Sequence, residues 1–403
     1  MKLTLKAKEL QSAISSIQSI CSKKTISETT SMTFLSLSDR QLIIRATDFE
    51  SFIQINIEPK DIKQESTDYQ KELIINAKRL YDIIRDIEPE ENIDLSSNDQ
   101  GVQIKTARSE INLTISSITT DQITLMNNKT ETIENFASIN TQSIISALSY
   151  CTPLATSALS SNSHNGSIHI VFEISGKITI SSTDGHSLAH VAITSETINP
   201  IEKISFTISK RAAIDLKKII ECSEKNSDLI IGKSGKNIAF SGQSFTNIIK
   251  VINEPAPSYE KIINAQPEKS FECDKSEIQK SIRRISSLTV GKFIPASFNF
   301  EDETEVLIKI NHSEIGSARE VVKMKRVKEK ITNNSKTDKE DSKQKSIFNI
   351  YPPYVLQAIS SLPENDEGMV KISFTNFKKP IYFSFEKTNT TMIYVVMPMI
   401  NQQ

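Results

Sequence analysis

The chain has 403 residues, 37% hydrophobic and 24% charged, enough for two or three globular domains. No apolar run approaches the roughly 18 residues that a membrane-spanning helix needs, which excludes such a helix. The net charge of −1 excludes a uniformly basic surface, so attraction to nucleic acid has to be concentrated on one face.

In chain order the pattern alternates between one-sided helices and short strands. Lys8 to Cys21 is predicted helical, with Leu10, Ala13, Ile14, Ile17 and Ile20 on one face. Gln41 to Ile57 alternates with period two, as β structure with one buried and one wet face does. Asn76 to Ile87 is a second helix, with Asn76 as its cap. Ile111 to Ile118 reads as a strand. The series then restarts. Thr141 to Tyr150 (Ile144, Ile145, Leu148) is helical, Lys177 to Ile193 alternates, Ser209 to Ile220 is helical, and Ser244 to Ile252 is a strand. It restarts again with Lys275 to Leu288 (Ile278, Ile282, Ile285, Leu288), strands over Glu305 to Val322, a helix from Pro352 to Leu362 and a strand from Thr391 to Met397. The two prolines ahead of Tyr354 suit a first helical turn.

These elements recur at a fixed offset. Lys8 to Thr141 and Thr141 to Asp274 are each 133 residues, as is Asn76 to Ser209. Ser209 to Pro352 is 143 residues, and the surplus lies in a charged run from Lys323 to Ser346, read as an extended or disordered surface loop. The chain is thus expected to hold three like modules, 1–132, 133–266 and 267–403, the last with the charged insertion near 323–346.

Four short runs carry a family resemblance: Thr47-Asp48-Phe49-Glu50; Thr183-Asp184-Gly185-His186-Ser187-Leu188-Ala189; the Pro257-Ser258-Tyr259 turn; and Tyr394-Val395-Val396-Met397-Pro398-Met399. With them the chain resembles the beta subunit of bacterial DNA polymerase III, the DNA sliding clamp, over essentially its full length. The resemblance implies an α+β fold of three tandem clamp domains, each with two helices on the inner face and antiparallel sheets outside. It also implies a head-to-tail homodimer closed into a ring. Such a ring encircles duplex DNA without reading its sequence, tethers the DNA polymerase III catalytic subunit, and serves the clamp loader and other proteins with a clamp-binding motif. It has no catalytic site, cofactor or metal. A repeat-built interaction scaffold that never encloses DNA is the alternative from another class.

A sliding ring needs only weak attraction to phosphate, which lysine and arginine on exposed helix faces supply. The candidates are Lys78, Arg79 and Arg85; Lys210, Arg211, Lys217 and Lys218; and Lys280, Arg283 and Arg284. Lys24 aligns with a basic channel position of the family. The helices from Thr141 and from Pro352 carry no basic residue, so the charge is expected to be uneven.

The resemblance further implies an apolar peptide groove at Thr183, Gly185, His186, Leu188, Pro257, Lys261, Ile262, Val395, Val396, Met397, Pro398 and Met399. Methionine is adaptable and suits a groove that serves several peptides. Ser187 replaces a usually basic residue, Lys261 a common arginine and His164 an expected leucine, and the chain closes with Ile400-Asn401-Gln402-Gln403 where a basic–apolar pair is typical. An altered peptide preference is therefore expected. For ring closure the family pairs its first and third domains, which would set Arg108, Ile111 and Leu113 against Leu288, with Ser287 at a usually apolar position.

His186 and His190 sit in a strand-like run that sets their side chains more than about ten ångströms apart, too far for shared zinc ligation. Asp48, Glu50 and Asp184 lie in TD contexts repeated at strand ends, which points to turn capping rather than acid–base work. There is no G-x-S-x-G, Walker or G-x-G-x-x-G sequence. Cys21, Cys151, Cys222 and Cys273 form no C-x-x-C pair and read as reduced thiols of a cytoplasmic protein, and the charged start Met-Lys-Leu-Thr-Leu-Lys does not read as a signal peptide.

Overall fold

A computed structural model describes residues 2–21, 28–64, 73–97, 101–114, 133–154, 166–194, 202–223, 227–253, 257–289, 293–327, 346–363, 368–387 and 389–399. Among the described residues a strand leads into a helix six times, five of them directly and once across the single residue Tyr351. The pairs are β1 (Lys2–Lys6) with α1 (Ala7–Ile20), β6 (Leu73–Asn76) with α2 (Ala77–Ile84), and β10 (Glu134–Asn140) with α3 (Thr141–Cys151). The others are β14 (Ile204–Ser209) with α4 (Lys210–Ser223), β18 (Lys269–Asp274) with α6 (Lys275–Ser286), and β22 (Ile347–Ile350) with α7 (Pro352–Ser361). A short helix, α5 (Glu260–Ile263), lies between the fourth and fifth pairs.

The junction residues explain why the backbone changes form there. Asn76, Asn140, Ser209 and Asp274 each turn a side-chain oxygen back onto a first-turn backbone N–H, of Arg79, Gln142, Ala212 and Glu277 respectively, at 2.7–3.1 Å. Tyr351 has no such bond; prolines occupy the first positions of its helix, as expected.

The chain packs as two compact units. The first, residues 1–148, 172–176 and 196–253, holds two sheets. One is ordered β5 (Asp61–Gln64), β1, β7 (Asn92–Ser97), β8 (Gly101–Lys105), β9 (Glu110–Thr114). The other is β10, β15 (Asp228–Ser234), β16 (Asn237–Ser241), β17 (Phe245–Lys250), β4 (Ser51–Ile57), β3 (Gln41–Thr47), β2 (Met32–Ser38), β6. Helix α1 packs between α2 and α4, and its stripe of Leu10, Ile14, Ile17 and Ile20 is wholly buried. Each such side chain contributes about 1.5–3 kcal/mol of hydrophobic stabilisation.

The second unit, residues 149–171, 177–195 and 254–403, holds a sheet ordered β11 (Ser167–Phe172), β12 (Lys177–Thr183), β13 (Ser187–Thr194), β25 (Thr390–Val396), β24 (Ile381–Lys387), β23 (Met369–Phe374) and β18. It continues through β21 (Gly316–Arg326), β20 (Glu305–His312), β19 (Ala296–Asn299) and β22. Phe271, Phe300, Phe348 and Phe374 form its aromatic core, with neighbouring ring centroids 4.8–6.1 Å apart.

The repeat and the packing units divide the chain differently, and two strand joints are the reason. Strand β17 of the middle repeat pairs with β4 of the first, Thr246 opposite Gln54. Strand β25 of the last repeat pairs with β13 of the middle one, Leu188 opposite Val395. The middle repeat therefore contributes one sheet to each neighbour. The charged run from Lys323 also begins as structure: Lys323 to Arg326 complete β21, and Ser346 at its far end is buried, its hydroxyl accepting from Lys269 Nζ at 3.0 Å. Residues 328–345 lie outside the described residues.

Candidate partner groove and nucleic-acid interface

Two turns share one hydrogen-bond pattern. In the first, Asp48 Oδ1 accepts the N–H groups of Glu50 and Ser51 at 3.0 and 2.7 Å, and Thr47 Oγ1 donates to the Ser51 carbonyl at 2.7 Å. In the second, Asp184 Oδ1 accepts from His186 and Ser187 at 2.9 and 2.7 Å, and Thr183 Oγ1 donates to the Ser187 carbonyl at 2.7 Å. These are the capping roles that the repeated TD context suggested. The residue after each aspartate is left-handed: Phe49 at φ 71° and Gly185 at φ 89°.

The second turn sits at the end of the β13–β25 joint, where the sequence places the expected peptide groove. Leu188, Val395 and Tyr382 form a buried cluster against which Tyr259, Ile262, Ile263 and Ile393 pack. Tyr382 donates its hydroxyl proton to the Ile262 carbonyl at 3.1 Å, holding α5 beside the sheet. The Met397 N–H donates to the His186 carbonyl at 2.9 Å and the Met399 N–H to the Asn349 carbonyl at 2.7 Å, which ties the run after β25 to the turn. Val396 and Pro398 are buried, whereas Met397 is 41% exposed and free to meet a ligand. Thr183, Gly185, His186, Leu188, Ile262 and Val395 to Met399 are thus gathered around one joint, with Pro257 and Lys261 exposed on the approach to and within α5. His164 and Ile400 to Gln403 lie outside the described residues.

Tyr259, singled out only as part of its turn, packs in this cluster together with Ile263, Tyr382 and Ile393, which the sequence did not single out. Nor did it single out as a site residue Tyr354, whose ring lies 6.3 Å from that of His186. The signal for Tyr354 was its place just after two prolines at a helix start. For Tyr382 there was none short of the fold. His190 is engaged inside the sheet instead. It is buried on β13, its Nδ1 is 2.8 Å from Ser181 Oγ, and burial lowers its pKa to about 4.

The basic side chains divide into two kinds. Lys78, Arg79, Lys280 and Arg283 are exposed on α2 and α6, and Lys210 and Lys218 are half-buried on α4. Arg85, by contrast, is paired with Asp82 and Asp86, Lys217 with Glu221, and Arg284 with Glu320 through two bonds of 2.6 Å. Arg211 is a brace: its guanidinium lies 3.4 Å from Asp48 and 3.7 Å from Asp215, and donates to the Ile20 carbonyl at 2.9 Å. Burial outweighs the attraction of Arg211 and lifts Asp215 to about 7, while the neighbouring Cys21 thiol is pushed up to about 12 by burial. Lys24 lies outside the described residues.

Of the residues expected at a subunit contact, Arg108 is exposed in the turn before β9, and Ile111 and Leu113 are half-exposed on β9. Leu288 is half-buried in the 3-10 turn Ser287–Thr289 that follows α6. Among the described residues no group of His, Cys, Asp and Glu gathers as metal ligands, and no helix is long and apolar enough to cross a membrane.

Comparison with known proteins agrees with this architecture. Residues 1–127 match the family model of the DNA polymerase III beta subunit N-terminal domain. The beta sliding clamp of Rickettsia felis is 23% identical over 411 residues, covering 99% of each chain, and that of Helicobacter pylori (strain J99) is 24% identical over 300 residues, 72% of this chain and 74% of its own. Among solved structures, a Pseudomonas aeruginosa sliding clamp superposes with a TM-score of 0.82 at 16% identity, covering 100% of both chains. The Helicobacter pylori beta clamp bound to a DNA ligase peptide gives 0.75 at 19%, covering 99% of this chain and 100% of that one. The chain therefore has the sliding-clamp fold throughout and resembles the beta subunit of bacterial DNA polymerase III, whose N-terminal domain its first 127 residues match.

Proposed function

We propose that the chain is a DNA sliding clamp: a homodimeric ring of six modules that encircles duplex DNA, holds the replicative polymerase on it, and catalyses nothing itself. The observation that carries this reading is the pair of strand joints. Each joins the last strand of one repeat to the strand after the turn of the preceding repeat, β17 to β4 and β25 to β13. The same rule applied once more requires β9 of the first repeat to meet β21 of a third. Strand β9 ends its sheet among the described residues, and over Gly316 to Lys323 the described pairing of β21 is with β20 alone. Ile315 and Val321 on that hairpin are 46% and 37% exposed. A second copy offers the complementary edges, and a two-fold arrangement uses both pairs and leaves none free.

In this reading domains 1–132, 133–266 and 267–403 are the ring's modules. Lys78, Arg79, Lys210, Lys218, Lys280 and Arg283 supply most of the attraction to phosphate, with Lys24, Arg85, Lys217 and Arg284 adjoining. Topology rather than affinity prevents escape, which is compatible with a near-neutral chain. The β13–β25 groove takes short peptides of the polymerase catalytic subunit, the clamp loader and other partners, as the Helicobacter pylori clamp takes a ligase peptide. The place of action is the replication fork in the bacterial cytoplasm. Light scattering should give twice the chain mass, and the protein should be retained on nicked circular DNA after loading and lost when that DNA is linearised. Retention on neither form favours a scaffold that never encloses DNA.

A further inference from the structure

The β4–β17 joint repeats the geometry of the groove joint. In one, the turn after Thr183 and the run leaving β25 flank the pairing of Ser187 with Val396. In the other, the turn after Thr47 and the run leaving β17 flank the pairing of Ser51 with Ile249. At this second joint there is an open cavity of about 360 Å³, a size that accepts a few side chains, lined in part by Phe49, Phe52, Ile248 and Val251.

Phe49 is the informative residue. Its φ of 71° places it in the left-handed region, where glycine sits without strain and a bulky side chain does not. The matching position of the other turn is Gly185. Phe49 is also 57% exposed, so burial within the chain does little to offset that strain. Backbone strain kept at an exposed position points to function, and an aromatic ring beside a cavity offers the large apolar surface that a docked side chain can desolvate.

The charge around the cavity selects the ligand. Lys236 and Lys250 line it and are exposed. The one carboxylate in the lining, Glu50, accepts the Ser209 hydroxyl at 3.3 Å. Two ammonium groups against one engaged carboxylate favour an anionic partner.

We propose that this cavity is a second peptide-docking site, taking an extended acidic segment of a partner protein whose apolar side chain packs on Phe49. One protomer then holds two partners of different chemistry at once. The site stands whether or not the β13–β25 groove binds peptide.

The test is fluorescence anisotropy on the full chain with a labelled peptide carrying a Leu-Phe centre flanked by aspartates, against the same centre flanked by lysines. The aspartate-flanked probe should bind at least about tenfold tighter, and the double change Lys236→Glu with Lys250→Glu should remove that advantage. Phe49→Gly should weaken binding of the aspartate-flanked probe while leaving thermal unfolding at or above the parent value, because it relieves the backbone strain; Met397→Ala, in the other groove, should leave the preference for aspartate over lysine flanks in place. Equal affinity for the two probes, or unchanged affinity in either cavity variant, overturns the proposal. So does loss of binding in Met397→Ala with the cavity variants unaffected, which would assign the peptide to the other groove.

Discussion

Asp48 and Asp184 cap identical turns, but only Asp48 has a second commitment, its Oδ2 lying 3.4 Å from the Arg211 guanidinium. Asp184→Ala releases two backbone N–H groups at a half-buried turn and should cost about 1–3 kcal/mol. Asp48→Ala releases two and also removes a pair with the half-exposed Arg211, so its cost should exceed that of Asp184→Ala by up to about 1 kcal/mol. Urea unfolding of the two variants under one buffer checks the order; equal losses would show that the Arg211 pair contributes nothing.

Acidity should act oppositely on the two units. His190 has a folded pKa of about 4 against the ordinary 6.5, so the unfolded chain binds its proton first and stability falls as pH drops from 6.5 toward 4. Asp215 is raised from 3.8 to about 7, so its contribution is complete below 3.8 and is lost as pH rises through 7. Hydrogen exchange followed from pH 7.5 to 5 should show α4 gaining protection relative to β13, once rates are corrected for intrinsic exchange. Asp215→Asn should stabilise the protein more at pH 8 than at pH 5, and change it little only near pH 3.

The floor and the rim of the groove should separate in mutagenesis. Leu188 is 4% exposed beneath the joint, and Leu188→Ala should cost about 2–4 kcal/mol in unfolding free energy. Met397 is 41% exposed, so Met397→Ala should alter unfolding by less than about 1 kcal/mol while weakening a clamp-binding peptide severalfold. Calorimetric binding beside thermal unfolding distinguishes the two.

Breaking one free edge should break the ring. Ile111→Lys with Leu113→Asp places charge on half-exposed β9 positions that the first sheet does not need for its core. Light scattering should report a folded monomer, and retention on circular DNA should disappear. A dimer that survives both changes would exclude β9 from the subunit contact.

Much of this organisation is legible in the sequence because it is local. Helical stripes such as Leu10, Ile14 and Ile17, and caps such as Asn76 and Ser209, act over a single turn, and every predicted helix is present within a few residues of its expected ends. Alternation located the hairpins β3–β4, β12–β13 and β20–β21 but says nothing of which strand lies beside which. The joints of β17 with β4 and β25 with β13 link strands far apart in sequence, so the apolar floor formed by Tyr382 and Ile393 had no sequence signature. The end of β21 was misread for a different reason. Lys323, Lys325 and Arg326 give a strand the composition of a loop, since only Val322 and Met324 face inward there.

The sharing of the middle repeat's sheets has a consequence for how the chain can be divided. Cutting at the repeat boundaries would strip β4 of β17 on one side and β13 of β25 on the other, baring two hydrogen-bonding edges and the apolar clusters beneath them. A single repeat is therefore a unit of sequence duplication and not a unit of folding. In the proposed ring every module has a successor, the last one finding its own in the first module of a second copy.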